Sequence, residues 1–101
     1  MPVVMQMEWD GVSPEQYNEA REKVDWEGNV PEGALLHVPW FVEGGLRVTD
    51  VWETSDDFER FVEERLMPAV QEIGIEGEPT VDIRPLHERL FAPGIERATA
   101  G

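Results

Sequence analysis

Two apolar segments joined by a glycine turn place the strongest constraint on how this chain can fold. Residues 34–42 (ALLHVPWFV) and 46–53 (LRVTDVWE) flank Glu43-Gly44-Gly45, and glycines supply the positive φ angles that a tight hairpin turn needs. Because successive side chains of a strand point to opposite faces, both faces of this hairpin receive apolar residues. Helices packed on one face leave the other uncovered, so the sequence predicts association with a second copy.

The turn also predicts which hairpin side chains share a face. A turn that pairs Glu43 with Leu46 places His37 opposite Trp52. One face then carries Leu35, His37, Phe41, Val48, Asp50 and Trp52. The other carries Leu36, Val38, Trp40, Val42, Arg47, Thr49 and Val51.

Further elements are predicted on both sides of the hairpin. The nearly continuous apolar run from Val3 to Trp9 predicts a strand covered on both faces. The segment Ser13–Gln16 opens a helix, because it offers a capping serine, a first-turn proline and a capping-box glutamine. A second helix is predicted from about Asp56 to Ile73, with a bend caused by Pro68. Residues 80–87 predict a last strand at a sheet edge.

The resulting order, β-α-β-β-α-β, predicts an α+β protein with a ferredoxin-like fold. In that arrangement two helices cover one face of a four-stranded antiparallel sheet. We expect one domain over residues 1–91 and a flexible tail over residues 92–101.

Composition excludes several classes of protein. The chain has 101 residues and no cysteine, so disulfides and thiolate metal sites are ruled out. Its 22 acidic and 8 basic side chains give a net charge of −14, which disfavours nucleic-acid binding. Neither a signal peptide nor a membrane span is evident, so we expect a cytoplasmic protein.

The hairpin EGGLRVTDVWET and the following helix DDFERFVEERLMPAV resemble the dimeric α/β barrel superfamily, which includes the antibiotic-biosynthesis-monooxygenase-like proteins. The resemblance covers roughly residues 3–91. It implies two sheets facing each other across a homodimer, with a small cavity between the sheet and helices of each subunit. Activities in the superfamily include cofactor-free oxidation of aromatic polyketides, haem breakdown, lactone isomerisation and ligand binding without chemistry.

Individual residues reduce the number of these activities that we expect for this chain. Haem-degrading members have an Asn on the first strand and a His on the second helix. This chain has Gln6 on that strand and no His in the second helix, so haem breakdown is not expected. Polyketide-oxidising members use Trp, Asn, Tyr and Arg. Trp52, Tyr17 and Arg84 are compatible with that set, whereas no strand offers the Asn.

His37 and Asp50 are the candidate catalytic residues. They are predicted on one face of neighbouring strands, at diagonal positions about 7–8 Å apart. A carboxylate that orients an imidazole creates a general base for a phenol, an enol or an acidic C–H group. Trp52 and Phe41 would wall a flat substrate. A structural role is also compatible: Asp50 would then satisfy a buried histidine, or both residues would lie at the dimer seam.

Two further residues are candidates for substrate binding. The hydroxyl of Tyr17 can bond a substrate oxygen, although a tyrosine on a helix face commonly belongs to the core. Arg84 on the last strand can bind an anion or pair with Asp82. We interpret Trp26 as a packing residue that can also act as a lid. No motif predicts a metal or a nucleotide cofactor.

Two main functions are compatible with the sequence, beside a third in which the net charge of −14 recruits a basic protein partner. One is a cofactor-independent monooxygenase, isomerase or cyclase acting on a small aromatic or enolisable molecule. The other is a non-catalytic homodimer that binds a small ligand or a protein. A cavity of roughly 300 Å³ or more reached by His37 and Asp50 would favour the enzyme, and a filled interior would favour the binding module.

Overall fold

A computed structural model describes residues 1–88 and Gly94 of the chain. The described part contains one sheet, in which every neighbouring pair is antiparallel and the strand order is β2-β3-β1-β4. Its four strands are β1 (Val3–Asp10), β2 (Ala34–Val42), β3 (Gly45–Trp52) and β4 (Thr80–Pro85). With the helices described below, this is the predicted α+β ferredoxin-like fold. The predicted tail lies outside the described residues.

Helix α1 (Pro14–Val24) begins at the predicted capping box. The Ser13 hydroxyl accepts a bond from the Gln16 backbone N–H at 3.2 Å, and the Gln16 side chain accepts one from the Ser13 N–H at 3.0 Å. These reciprocal bonds satisfy amide groups that have no partner inside the helix. The helix ends at Asp25, which has a left-handed φ of 53°.

The second helical region is continuous but not uniform. It consists of α2 (Ser55–Phe61), a π-helical segment (Val62–Leu66) and α3 (Met67–Ile73). The Thr54 hydroxyl caps α2 by accepting from an amide of its first turn. Pro68 lacks an N–H and so breaks the regular bonding pattern. The widened π turn lies directly before it, where the sequence predicts a bend.

The hairpin register differs from the prediction by two residues. Val42 pairs with Gly45, so that Glu43 and Gly44 form a two-residue turn, and His37 lies opposite Asp50 instead of Trp52. A shift of two preserves the face on which each side chain lies, because strand side chains alternate with a period of two. A bulge between Ala34 and Leu36 takes Leu35 out of the predicted face and leaves it exposed.

The prediction that β1 is covered on both faces is wrong for the single chain. Met5, Met7 and Trp9 are buried against the helices, whereas Gln6 and Glu8 point outward and are exposed. The polar positions alternate with the apolar ones, and the sheet follows that alternation. The last strand ends at Pro85, two residues earlier than predicted, and lies at a sheet edge as predicted.

The core lies between the inward face of the sheet and the helices. Its largest fully buried side chains are Trp52 and Met5. The outward face keeps apolar side chains exposed on β2, namely Val38, Trp40 and Val42, each with about 40% of its surface accessible. No helix in the described part of the chain is long and apolar enough to cross a membrane.

Candidate functional site

His37 and Asp50 form the centre of the site. They are direct partners on β2 and β3, a closer arrangement than the predicted diagonal. The imidazole Nδ1 lies 2.7 Å from Asp50 Oδ1, and Asp50 is 4% exposed. Because a buried carboxylate is a strong hydrogen-bond acceptor, we infer that Nδ1 carries a proton and donates a hydrogen bond to Asp50.

Tyr17 bonds the other nitrogen of the same imidazole. Its hydroxyl oxygen lies 2.6 Å from His37 Nε2. In neutral imidazole with a proton on Nδ1, Nε2 is an acceptor, so the Tyr17 hydroxyl donates to it. Helix α1 projects Tyr17 from its first turns towards the hairpin. The helix and the hairpin together therefore build one hydrogen-bonded chain, Tyr17–His37–Asp50.

Trp52 adds a fourth residue to this hydrogen-bonded chain. Its indole Nε1–H donates to Asp50 Oδ2 at 3.1 Å, and the residue is fully buried. With one oxygen bonded to His37 and the other to Trp52, the Asp50 carboxylate is fixed in position and in orientation. Trp52 therefore positions the carboxylate, in place of the aromatic wall that the sequence predicted.

An aromatic side chain from the loop after α1 covers the imidazole. The Trp26 ring lies 4.8 Å from the His37 ring, centroid to centroid. It also packs edge-on against Trp52 and Phe61, at 6.0 Å and 5.7 Å. These contacts hold the loop over the hydrogen-bonded chain. The position of Trp26 is compatible with both sequence interpretations, packing residue and lid.

Two spaces meet at this cluster. An inner cavity of about 80 Å³ lies between the sheet and the helices and reaches both His37 and Asp50. A surface groove of about 480 Å³ runs along the start of β2 and reaches His37 but not Asp50. Both spaces are lined by Tyr17, Arg21, Trp26 and His37. The inner cavity reaches both residues but is smaller than the roughly 300 Å³ that would favour an enzyme. The groove exceeds that size but does not reach Asp50, so neither space meets the expectation in full.

The surroundings of Tyr17 keep its hydroxyl protonated. Burial raises the pKa of Tyr17 to about 12, and the negative charges of Asp50 and Glu27 act in the same direction against the opposing charge of Arg21. Burial raises the pKa of a phenol because it disfavours the phenolate. At neutral pH Tyr17 therefore acts as a hydrogen-bond donor to His37.

The other predicted site residues lie at different distances from the cluster. Phe41 packs edge-on against Tyr17 at 6.1 Å, is 37% exposed and lines neither space. Arg84 pairs with Val4 on the outward face of the sheet. Its guanidinium donates to Asp82 at 3.0 Å. The structure therefore places Arg84 apart from the cluster, on the opposite side of the sheet.

Arg21 belongs to the site but was missed by the sequence interpretation. It lies four residues after Tyr17, so the two share a helix face. Its guanidinium pairs with Glu27, and both residues line the groove. Its spacing from Tyr17 could have indicated that Arg21 belongs to the site. The same spacing gives no indication of its partner Glu27 in the loop. Among the residues that the structure describes, no three His, Asp or Glu side chains converge as a metal site would need.

Comparisons with known proteins identify the fold. No family model matches the chain, and no curated protein matches it in sequence.

Solved structures do match. SnoaB, a cofactor-independent oxygenase from Streptomyces nogalater, is 11% identical with a TM-score of 0.62, over 88% of this chain and 95% of that one. A putative antibiotic biosynthesis monooxygenase from Caulobacter crescentus is 17% identical with a TM-score of 0.61, over 86% and 91%. A protein of unknown function from Nitrosomonas europaea is 12% identical with a TM-score of 0.64, over 90% and 95%. The chain therefore has the ferredoxin-like fold of the antibiotic-biosynthesis-monooxygenase-like proteins.

Proposed function

We propose that this protein is a cofactor-independent enzyme that removes a proton from a small aromatic or enolisable molecule. The observation that carries the proposal is the chain Tyr17–His37–Asp50, with bonds of 2.6 and 2.7 Å, at the wall of a groove. A base oriented by a buried carboxylate is a recurring arrangement for proton transfer.

The bonding pattern defines a route for the proton. Both nitrogens of His37 have partners, so the oxygen of Tyr17 is the atom that faces the substrate. As the substrate proton moves to that oxygen, the Tyr17 proton moves to Nε2 of His37. The resulting imidazolium lies against the Asp50 carboxylate, which stabilises the new positive charge. In this proposal His37 is the final proton acceptor and Asp50 its orienting partner, while Tyr17 passes the proton from the substrate to His37.

The groove supports a flat organic substrate. Its volume of about 480 Å³ lies within the range of small-molecule sites. Its walls include the apolar residues Trp26, Leu36 and Pro39 and the polar residues Tyr17, His37, Arg21 and Glu27. Apolar surface combined with convergent polar groups is typical of sites that bind small organic molecules.

Monooxygenation, isomerisation and cyclisation can all begin with this proton transfer, so the cluster is compatible with each of them. The fold shared with SnoaB, described as a cofactor-independent oxygenase, supports chemistry without a bound cofactor. That support is limited to the fold, since a scaffold carries many activities.

Specific observations favour a second candidate, a non-catalytic homodimer that binds a small ligand. The inner cavity, which reaches both His37 and Asp50, measures only about 80 Å³. The polar atoms of the cluster already bond one another, as expected if Asp50 simply satisfies a buried histidine.

The homodimer is part of both candidates. Val38, Trp40 and Val42 project from β2 on the outward face and are each about 40% exposed. A second copy placed against this face would bury them.

Deuterium exchange tests the enzymatic proposal without a known substrate. A panel of small phenols and 1,3-dicarbonyl compounds is incubated with the protein in D₂O under nitrogen, and C–H exchange is followed by mass spectrometry. We expect the wild type to accelerate exchange of at least one compound. His37→Gln should lose that acceleration, and His87→Gln, which changes the other histidine, should keep it. Compounds that bind to the groove without accelerated exchange would support the binding module instead.

A further inference from the structure

We propose that the inner cavity is a binding site for one small apolar molecule of the size of dioxygen, separate from the groove that takes the organic substrate. The cavity lies between the inward face of the sheet and the helices. Its lining includes Met5, Met7, Val48, Phe58 and Val70.

The volume of the cavity restricts its occupant. It measures about 80 Å³, whereas an apolar cavity that accepts benzene measures about 150 Å³. An aromatic ring therefore does not fit without rearrangement of the core. A diatomic gas or a single xenon atom is small enough to fit.

Water is a poor occupant of the same cavity. A buried water needs two to four polar partners, and the lining is predominantly apolar side chains. The polar side chains at its wall already have partners: His37 bonds Tyr17 and Asp50, Asp50 also bonds Trp52, and Arg21 pairs with Glu27. Among the described residues no buried side-chain nitrogen or oxygen lacks a partner. The cavity thus offers dispersion contacts and few free hydrogen-bonding groups.

The two spaces share the residues of the proposed proton route. Tyr17 and His37 line both the cavity and the groove, and Trp26 lies over their junction. A gas molecule in the cavity would be next to the atoms that receive the substrate proton. An anion formed in the groove would then meet dioxygen without either leaving the protein.

The use of this site rests on the proposed function and selects oxygenation among its three reaction types. For an activated CH₂ group the balance is CH₂ + O₂ → C=O + H₂O. Two C–H bonds and the O–O bond break, and one C=O bond and two O–H bonds form. The carbon gives up four electrons and the two oxygen atoms take them, so the substrate itself is the reductant.

Dissolved dioxygen is paramagnetic and speeds the relaxation of nearby nuclei, so it serves as its own probe. Methyl relaxation of the protein is measured under dioxygen and under nitrogen. We expect several-fold larger enhancements at Val48 and Val70, which line the cavity, than at Val51, which is similarly buried but does not line it. Equal enhancements at all three valines would overturn the proposal.

Cavity-filling variants supply the second arm. Ala20→Val or Val48→Ile, each at the cavity lining, should abolish the enhancement at Val70. Val51→Ile should leave it unchanged. If both cavity-filling variants remain folded and the enhancement at Val70 persists in them, that result would contradict a site in this cavity.

The failures of the two proposals are distinguishable. His37→Gln should remove deuterium exchange while Val70 keeps its enhancement. If dioxygen enters the cavity but no compound exchanges, the site stands and its use in the proposed reaction is wrong. If exchange is accelerated while dioxygen enhances the methyl relaxation of Val48 no more than that of Val51, the proposed base is supported and the proposed gas site is wrong.

Discussion

The hydroxyl of Tyr17 connects the solvent-facing groove with the buried acid, and its titration is directly observable. This is the one tyrosine of the chain, so phenolate absorbance reports on it alone. Burial raises its pKa to about 12, above the ordinary value of about 10. We therefore expect the absorbance change of the folded protein near pH 12, and that of the urea-unfolded chain near pH 10. A folded-state midpoint near 10 would contradict a buried, histidine-bonded hydroxyl.

The same shift predicts how stability depends on pH. Between about pH 10 and 12 the folded chain keeps the Tyr17 proton and the unfolded chain has lost it. Since the unfolded state then binds fewer protons, the free energy of unfolding falls as pH rises through this window. Urea titrations should show a steeper fall for the wild type than for Tyr17→Phe, which has no group to titrate. Parallel curves would show that the hydroxyl is not buried.

At the residue scale, the sequence predicted the central pair but not its full environment. His37 and Asp50 could be placed on one face because a strand alternates with a period of two, and this survives an error of two in the register. The bond from Tyr17 depends on how α1 crosses the sheet, which no local pattern encodes. Trp26 belongs to an irregular loop, where neither the periodicity of a strand nor that of a helix applies.

At the scale of elements, the hairpin carries half of the site, and its close approach to β1 depends on Gly45. A Cβ atom at this position would lie 2.6 Å from the Trp9 carbonyl oxygen and 2.7 Å from the Asp10 Cα. These are backbone atoms of the neighbouring strand, so they cannot move aside as a flexible side chain would.

We therefore expect Gly45→Ala to lower the free energy of unfolding by about 1–3 kcal/mol, the usual cost of overpacking. Chemical denaturation monitored by tryptophan fluorescence measures the change. Glu43→Ala, in the exposed turn next to it, should change stability by no more than about 0.5 kcal/mol. Equal effects of the two substitutions would show that β3 does not lie this close to β1.

The elements themselves could largely be predicted from the sequence. Both helix starts follow from capping residues, which act within one turn and are therefore readable locally. The hairpin register was harder, because Glu43-Gly44-Gly45 permits more than one two-residue turn. The structure selects the pairing that places Gly45 at the first position of β3, opposite Asp10, where any larger residue would collide with β1.

For the whole molecule, the outward face of the sheet divides into an apolar and a polar half. Leu36, Val38, Trp40 and Val42 lie on β2, whereas Gln6 and Glu8 lie on β1. The sequence predicted that both faces of the hairpin are too apolar to face water and that β1 is covered on both faces, because each segment was considered apart from its neighbours. The apolar half still offers a contact surface for a second copy, and the net charge of −14 opposes that contact at low salt.

We predict a homodimer at micromolar concentration, stabilised by added salt that screens the repulsion. Trp40→Glu should convert it to single chains in sedimentation velocity, because it places a charge in the middle of the apolar half. Asn18→Asp adds the same charge on the exposed side of α1 and should leave the dimer intact. A wild type that sediments as a single chain at every salt concentration would refute the pairing of sheets.

The central claim is that Tyr17, His37 and Asp50 act as one proton-accepting unit. The most direct measurement is the rate of deuterium exchange, with the panel compound that the wild type exchanges fastest, for Tyr17→Phe, Asp50→Asn and the double variant. The effects of substitutions at residues that act together do not add. The double variant should therefore lose no more of the exchange rate than the more impaired of the two single variants. Losses that multiply, in variants that remain folded, would show that the two residues act independently and would contradict the account.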